Sequence, residues 1–268
     1  MSVETFESSG AGLERLGSHA TLKEASAALP DGVYTTFRTY EGRRVLRLHQ
    51  HLGRLLESAA LKGTSGTLDL GSVRAAVTGA MDATRFSESR FRVTFAPPRL
   101  FLSVEPFAPL PSRLYDEGAL CVTVPVRREN PHAKDTRFIA TASAAYGSLP
   151  AGIEEGLMRA DDGSVLEGLS SNFFAVKSGR LWTEEVRVLE GVTRALVLEV
   201  AALVLPVERT SLRLEDGLDE CFITSVSREV MPVVSIDGHR MGAGRPGPAT
   251  RDIARRFRTL VEREAEAL

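Results

Sequence analysis

Two short stretches decide how this chain is interpreted: NPHAKDTR at residues 130–137 and LEGLSSN at residues 166–172. The first contains Lys134, one of only four lysines among 33 basic residues; the others are arginines. A lysine amine can form a Schiff base with an aldehyde, whereas a guanidinium stays protonated and is a poor nucleophile. A lysine kept in a polar loop of an arginine-rich chain therefore indicates amine chemistry, with Glu167 of the second stretch as a candidate partner.

Composition narrows the class of protein. The chain has 268 residues, 43% of them hydrophobic, which is ordinary for a globular protein with a sizeable core. The net charge of −2 gives no basic field for nucleic acid, and we expect no nucleic-acid partner. No apolar run is long enough to cross a membrane and the first residues do not resemble a signal peptide. Two distant cysteines, Cys121 and Cys221, favour a cytoplasmic location and no metal site.

The hydrophobic pattern predicts a mixture of strands and helices. The first 25 residues are polar, with weak helical character at 21–28 and no evident opening strand. Alternating β-branched and aromatic residues predict strands at 32–39, 45–48, 90–95, 100–104, 119–126, 155–160, 173–176, 220–226 and 233–236. Apolar residues at helical spacing predict helices at 49–61, 71–84, 136–149, 193–203 and 249–267.

A proline-rich stretch at 106–111 marks the end of a first unit. We therefore predict a small N-terminal α+β domain at 1–115, a connection at 116–130 and a larger C-terminal domain at 131–268. The fold class is α/β in the broad α+β sense, because strands and helices do not alternate strictly.

Five further segments accompany the two opening stretches. In chain order they are GVYTTFR (32–38), HLGRLLESA (51–59), LEGVTR (189–194), TSVSREVMPV (224–233) and GRPGPAT (244–250). Their order and spacing resemble the class IV aminotransferases, the fold-type IV enzymes that use pyridoxal phosphate. The resemblance extends from about residue 31 to the C-terminus, and it is more specific in the second half.

The resemblance assigns roles to individual residues. It implies that Lys134 holds pyridoxal 5'-phosphate as a Schiff base and moves the substrate proton, and that Glu167, in the stretch ending at Asn172, faces the pyridine nitrogen. It implies phosphate binding by Arg54, by Val192 and Thr193 at a helix start, which suits an anion, and by Ser225 and Val226. It implies further that Ser227 of the same loop contacts the substrate, and that the enzyme is a homodimer.

The chain departs from the family at the groups that bind the ring hydroxyl and the substrate carboxylate. A tyrosine common five residues after the lysine is replaced by Ile139, for which Arg137 is a substitute donor. Tyr34 matches a substrate-binding tyrosine of the D-amino acid enzymes, but their arginine motif is replaced at residues 94–96. A different carboxylate site is therefore expected, and its candidate residues are Arg38, Arg90, Arg92 and Arg228.

Three functions remain open on sequence grounds. The leading hypothesis is a transaminase that moves an amino group between an amino donor and a 2-keto acid acceptor by a ping-pong mechanism. The second is an aminodeoxychorismate lyase, which uses the same lysine and cofactor but eliminates pyruvate. The third is a binding protein that keeps the fold without activity, and the retained Lys134–Glu167 pair argues against it.

Overall fold

The computed structural model describes residues 2–10, 12–64 and 66–268, which form two units. The first unit comprises Met1–Pro109, His132–Ala140 and Glu264–Leu268, and the second comprises Leu110–Pro131 and Thr141–Arg263. The segment that contains Lys134 thus belongs to the first unit, although its neighbours in sequence on both sides belong to the second.

The strands and helices of both units follow in chain order. The strands are β1 (Val3–Ser9), β2 (Gly12–His19), β3 (Val33–Tyr40), β4 (Arg44–Leu46), β5 (Ser89–Ala96), β6 (Arg99–Pro106), β7 (Ala119–Val124), β8 (Glu155–Arg159), β9 (Val165–Gly168), β10 (Asn172–Lys177), β11 (Arg180–Trp182), β12 (Val207–Glu208), β13 (Glu220–Ser225), β14 (Glu229–Ile236), β15 (His239–Arg240) and β16 (Ala265–Ala267). The helices are α1 (Leu22–Ala27), α2 (Leu48–Leu61), α3 (Leu70–Thr84), α4 (Arg113–Asp116), α5 (Arg137–Gly147), α6 (Val192–Ala201) and α7 (Pro248–Glu264). No helix in the described parts of the chain is long and apolar enough to cross a bilayer.

An antiparallel sheet of seven strands organises the first unit, in the order β16-β4-β3-β5-β6-β1-β2. The side chains of its alternating strands and of α2 and α3 form one apolar core. Phe37 and Phe91, directly opposite each other on β3 and β5, stack with ring centroids 5.1 Å apart at its centre. This core fixes β3 and α2, which carry Tyr34, Arg38 and Arg54.

The opening of the chain corrects the sequence-based expectation, because residues 3–9 and 12–19 form strands. Val3 and Phe6 of β1 are buried and hold it against β6, whereas most of β2 is exposed at the edge of the sheet. A polar edge strand needs no apolar side chains, so the hydrophobic pattern did not reveal it. The weak helical signal at 21–28 is confirmed by α1.

The second unit contains a mixed sheet in the order β12-β11-β10-β13-β14-β7-β8-β9, with β15 on β14 and a further pairing of β9 with β10. Strands β10, β13 and β14 are antiparallel, whereas β7 runs parallel to both β14 and β8. Phe174 and Phe222 stack across β10 and β13 with centroids 4.8 Å apart. The closure of β9 on β10 pairs Glu167 with Asn172, so the ends of one predicted motif face each other.

Each predicted helix and strand has a counterpart in the structure, with ends that differ by a few residues. The largest difference at the C-terminus is that the helix predicted to reach 267 ends at Glu264, and β16 then pairs with β4. Ala265 is buried in that pairing. The strand predicted to begin at residue 233 begins at Glu229 instead and includes Pro232. Proline is rare in inner strands because it has no backbone N–H to donate, so the sequence predicted a later start.

Candidate active site

Lys134 is fixed by its main chain beside the start of β3. The Tyr34 N–H donates to the Lys134 carbonyl oxygen at 2.9 Å, and the Lys134 N–H donates to the Ser58 hydroxyl at 3.2 Å. These contacts lie within the first unit. Because the backbone is held on both sides of the Cα atom, the lysine side chain extends from a defined position.

The ring of Tyr34 contacts two cations of the first unit. The Lys134 Nζ lies 4.8 Å from the ring centroid and the Arg92 guanidinium carbon lies 5.1 Å from it, both within the range of cation–π attraction. Arg92 also donates to the Ser26 hydroxyl and, at 2.9 Å, to the Leu22 carbonyl. Arg92 is thus committed to α1 and to Tyr34, and Tyr34 is held against the lysine amine.

A buried polar group on α2 lies near these residues. The Thr35 hydroxyl lies 3.2 Å from His51 Nδ1. The same hydroxyl accepts a hydrogen bond from Arg54 Nη2 at 3.5 Å. Burial, and after it the charges of Arg54 and Lys134, hold the pKa of His51 well below its ordinary value. His51 is therefore neutral near pH 7.

Glu167 is the buried carboxylate of the second unit, and three donors hold it. Arg128 Nε donates to Oε1 at 2.8 Å, while Asn172 Nδ2 and the Leu189 N–H donate to Oε2 at 3.1 and 3.2 Å. The side chains of Glu167 and Arg128 are 3% and 6% exposed. Charge-assisted hydrogen bonds of this kind fix the orientation of the carboxylate, and a carboxylate is the group that can face a protonated heterocyclic nitrogen.

The start of α6 lies next to this carboxylate. Gly191 is its extended N-cap residue and has no side chain to cap the first amides, which leaves them to an anion or to solvent. Val192 and Thr193 form the first turn, as predicted, and both are buried. Asn172 Nδ2 also donates to the Leu189 carbonyl at 2.8 Å, so one side chain joins the Glu167 carboxylate to the segment before the helix.

We predict that Gly191→Ala disrupts this connection. A Cβ atom at Gly191 would lie 2.4 Å from Asn172 Oδ1, so the amide must move away from Glu167 and Leu189. The expected loss is about 1–3 kcal/mol of unfolding free energy, measured by urea denaturation. Gly147→Ala is the matched control because a Cβ there meets nothing within 4 Å. Equal stabilities of the two variants would contradict the role given to Gly191.

A second carboxylate, Glu184, anchors the chain that leads into α6. Its Oε1 accepts the Val186 N–H at 2.9 Å, and its Oε2 accepts Arg187 Nε and Nη2 at 3.0 and 2.6 Å. Its carbonyl accepts Arg194 Nη2 from α6 at 2.7 Å. Burial would raise the pKa of Glu184, but the Arg187 guanidinium and the loop amides outweigh burial and lower it from 4.5 to about 2.

This shift predicts a pH-dependent contribution to stability. Because the pKa is lower in the folded state, the stabilisation is present above the unfolded pKa of 4.5 and disappears as pH falls toward 2. We expect the advantage of the wild-type chain over Glu184→Gln in unfolding free energy to shrink by about 2–3 kcal/mol between pH 6 and pH 2. The half-exposed neighbour in Glu185→Gln, which loses only a surface pair with Arg209, is the control. A pH-independent difference would contradict the prediction.

The turn between β13 and β14 contains Ser225, Val226, Ser227 and Arg228, all partly buried. The Ser225 hydroxyl accepts the Arg228 N–H at 3.2 Å, and the Arg228 carbonyl accepts the Tyr115 hydroxyl at 3.1 Å. The residues predicted to bind phosphate and substrate in this segment therefore lie in one turn, which the hydrogen bond from Arg228 to Ser225 closes.

A fully buried carboxylate, Glu155, lies beside that turn. It accepts the Tyr146 hydroxyl at 2.6 Å, the Ser171 hydroxyl at 2.9 Å and the Ser170 hydroxyl at 3.2 Å, and Arg228 Nη1 lies 3.5 Å away. Burial would lower the pKa of Arg228, but the Glu155 carboxylate and the Tyr146 phenol together raise it above its ordinary value. Burial also raises the pKa of Tyr146, so the phenol keeps its proton.

The remaining arginine candidates have other partners in the first unit. The Arg38 guanidinium carbon lies 3.8 Å from the Tyr40 ring centroid and 4.4 Å from that of Phe107. Arg90 forms an ion pair with Glu105. Arg137, the substitute for the tyrosine that Ile139 replaces, is largely exposed and pairs with Asp135 at 2.7 Å.

The structure thus gathers the predicted residues in two groups, one in each unit. Lys134, Tyr34, Arg54 and Arg92 lie together in the first unit, whereas Arg38 stacks elsewhere on β3. The second unit contains the predicted residues Glu167, Asn172, Val192, Thr193, Ser225, Val226, Ser227 and Arg228. Sequence reasoning missed Arg128, Glu155 and Tyr146, because each acts through a partner distant in sequence. The one available signal was that Arg128 lies two residues after the strand predicted at 119–126.

Comparison with known proteins assigns the family. The sequence profile of the family described as amino-transferase class IV matches residues 32–236. The chain belongs to the class IV aminotransferases. A branched-chain-amino-acid aminotransferase of Pseudomonas aeruginosa is 28% identical over 268 residues, covering 88% of this chain and 86% of the relative. A D-alanine aminotransferase of Bacillus licheniformis is 26% identical over 276 residues, covering 90% and 91%.

The fold agrees with this assignment. The crystal structure of the T.th. branched-chain amino acid aminotransferase with pyridoxamine 5'-phosphate superposes with a TM-score of 0.81, covering 98% of this chain and 95% of that chain at 20% identity. The predicted α/β fold class, the family and the enzyme class are confirmed. Class IV aminotransferases depend on pyridoxal phosphate, which is therefore the expected cofactor of this class IV aminotransferase.

The residues present fit that cofactor chemically. Phosphate is an anion, and the first unit offers buried Arg54 beside a neutral histidine, while the second offers the glycine-capped start of α6. A protonated pyridine nitrogen is stabilised by a carboxylate that faces it, and Glu167 provides a buried one. An aldehyde requires an amine, and Lys134 provides one.

Proposed function

We propose that this chain is a transaminase that moves an amino group from an amino acid, or an amine, to a 2-keto acid in two half-reactions of a ping-pong cycle. When bound, pyridoxal phosphate supplies an electron-withdrawing ring that stabilises the carbanion left after the donor loses its α-proton. The observation that supports this most is the Lys134 amine, 4.8 Å from the Tyr34 ring in the unit that holds Arg54.

Lys134 has two tasks in this proposal. Its amine would hold the aldehyde of pyridoxal phosphate as a Schiff base, and it would also move the proton of the donor Cα. Its backbone contacts to Tyr34 and Ser58 fix the Cα atom from which the side chain extends.

Glu167 would face the pyridine nitrogen of bound pyridoxal phosphate and keep it protonated. Arg128 and Asn172 hold the carboxylate in place. The phosphate would be bound by Arg54, Thr193, Ser225 and the amides of Val192 and Val226. Tyr34 and Ser227 contact the substrate.

The proposal is tested with the purified protein and added pyridoxal phosphate. Bound cofactor gives a visible absorbance band, and a panel of D- and L-amino acids is then added without a keto acid. We expect one enantiomer to abolish the band and to release its keto acid in an amount equal to the enzyme, with the band restored by a second keto acid. A bound cofactor that no amino acid or amine converts would overturn the transaminase proposal.

The lyase alternative is not favoured, since the relatives reported above are aminotransferases. Release of pyruvate from aminodeoxychorismate without amino transfer would restore it. We also propose that the protein is a homodimer, by resemblance to the family. We propose a cytoplasmic location because its two cysteines are free, buried thiols. Light scattering at the mass of one 29.0 kDa chain would contradict the dimer.

A further inference from the structure

We propose that Lys62 and Asp135 are a positioning pair, which holds the segment of Lys134 in a defined position relative to Arg54. The pair thereby matches the lysine amine to a cofactor whose phosphate Arg54 binds. The proposal deepens the proposed function and rests on it. Lys62 lies outside the stretches that carry the family resemblance, yet it is one of only four lysines in the chain.

A row of three polar side chains follows one face of α2 to its C-cap. Its members are Arg54, Ser58 and Lys62, which are four residues apart and therefore lie above one another on a helix. We call them the polar row. Arg54 and Ser58 are buried, and the side chain of Lys62 is 17% exposed. Polar groups at this depth need hydrogen-bond partners on the segments that face them.

The partners of the polar row lie on β3 and its N-terminal end and on the segment of Lys134. Its first two members contact the Thr35 hydroxyl and the Lys134 N–H, as described above. The third, Lys62, has its Nζ 3.0 Å from Asp135 Oδ2 and donates to the Gly32 carbonyl at 3.4 Å. The polar row thus joins α2 to both segments within the first unit.

Lys62 anchors two segments that are already paired with each other. Asp135 forms a β-bridge with Val33, the Thr136 N–H donates to the Gly32 carbonyl at 3.0 Å, and the Gly32 N–H donates to the Thr136 hydroxyl at 2.9 Å. One ammonium group therefore contacts both sides of this pairing. A compact ammonium with three donors suits two acceptors in different directions, whereas a guanidinium presents a planar fork.

The pair is charged on both sides. Burial would raise the pKa of Asp135, but Arg137 and Lys62 outweigh burial and lower it. The Arg137 N–H and Nη2 donate to the same carboxylate at 2.9 and 2.7 Å. Asp135 therefore keeps a charged partner when Lys62 is replaced, so the replacement loosens the segment without leaving a carboxylate unpaired.

Position matters here because the phosphate and the aldehyde of pyridoxal phosphate are joined by one rigid ring. The cation that binds the first group and the amine that bonds to the second must be spaced to match it. A displacement of about 1 Å can cost about a hundredfold in such an arrangement. Loosening the segment of Lys134 should therefore weaken the cooperation between amine and Arg54 while leaving each group present.

The test compares pyridoxal phosphate with pyridoxal, which has the aldehyde but lacks the phosphate. Absorbance titration measures both dissociation constants for the wild type and Lys62→Met, and borohydride reduction with mass spectrometry locates the aldehyde on Lys134. We expect pyridoxal phosphate to bind about tenfold more weakly to the variant, because two linked contacts are no longer held at matched positions. Pyridoxal should bind within about twofold of wild type, since it uses the amine alone.

Further variants separate positioning from a general loss of structure. Lys62→Arg keeps the charge beside Asp135 and should recover part of the loss. Asp135→Asn should reproduce the effect of Lys62→Met, and the double variant should be no worse than either, because all three remove one interaction. The double variant also leaves no buried charge unpaired, so it replaces Lys62→Met if that protein does not fold. Lys23→Met, on the exposed side of α1, should change neither constant.

The outcomes distinguish this inference from the proposed function. An equal loss for both aldehydes, or no loss for either, would overturn the positioning role and leave the transaminase proposal intact. A wild-type protein that forms no absorbance band with pyridoxal phosphate would refute the proposed function, and the positioning role with it.

Discussion

Lys134→Ala should lose the visible absorbance of bound pyridoxal phosphate and reduce amino transfer at least about a thousand-fold, in line with the loss of a general acid–base catalyst together with a covalent attachment point. The stability of the variant should change by less than about 1 kcal/mol. The structural reason is that Lys134 is held by its backbone N–H and carbonyl, and alanine keeps both.

Two variants make this result specific. Lys134→Arg keeps the positive charge near Tyr34 but provides no amine, and it should be as inactive as the alanine variant. Lys23→Ala removes an exposed lysine of α1 and should behave as wild type. A Lys134→Ala protein that retained the absorbance band and substantial turnover would exclude Lys134 from the chemistry.

Glu167→Gln should reduce turnover about 10- to 100-fold, because a neutral amide holds the pyridine proton less strongly than a carboxylate does. Glu167→Ala should show an additional effect on folding. It leaves the Arg128 guanidinium buried opposite an empty position, and breaking such a pair costs about 3–5 kcal/mol. Rates come from single-turnover kinetics and stabilities from urea denaturation.

The double variant Glu167→Ala with Arg128→Met separates the two effects. It should recover much of the lost stability, because no buried charge is left unpaired, while turnover remains low. Glu117→Gln is an exposed control and should change neither quantity. Turnover restored together with stability would mean that Glu167 acts only on folding.

The elements that the sequence predicted well are those with a buried face. Strand β3 alternates buried and partly exposed residues, and α2 repeats apolar residues at helical spacing, so both were predictable. Strand β2 has no such face because it lies at the sheet edge, and its existence depends on pairing with β1. Tertiary pairing of this kind leaves no local pattern to detect.

Within the candidate site, the sequence alone indicated those residues that belong to recognisable sequence motifs. The motif from Glu167 to Asn172 was predicted as a unit, and β9 and β10 indeed bring its two ends together. The sequence did not reveal Arg128, which is 39 residues from its carboxylate. Nor did it reveal Glu155, whose partners come from α5, the 166–172 stretch and the β13–β14 turn. Such polar networks are created by the fold, so they become visible only in the structure.

The most direct test of the whole account is to locate the lysine that holds the cofactor. The protein is loaded with pyridoxal phosphate, reduced with borohydride to fix the bond, digested, and mapped by mass spectrometry. Only Lys23, Lys62, Lys134 and Lys177 provide side-chain amines. The account predicts modification of Lys134 alone, at about one cofactor per chain. Modification of another lysine, or none in a protein that retains the cofactor, would contradict it.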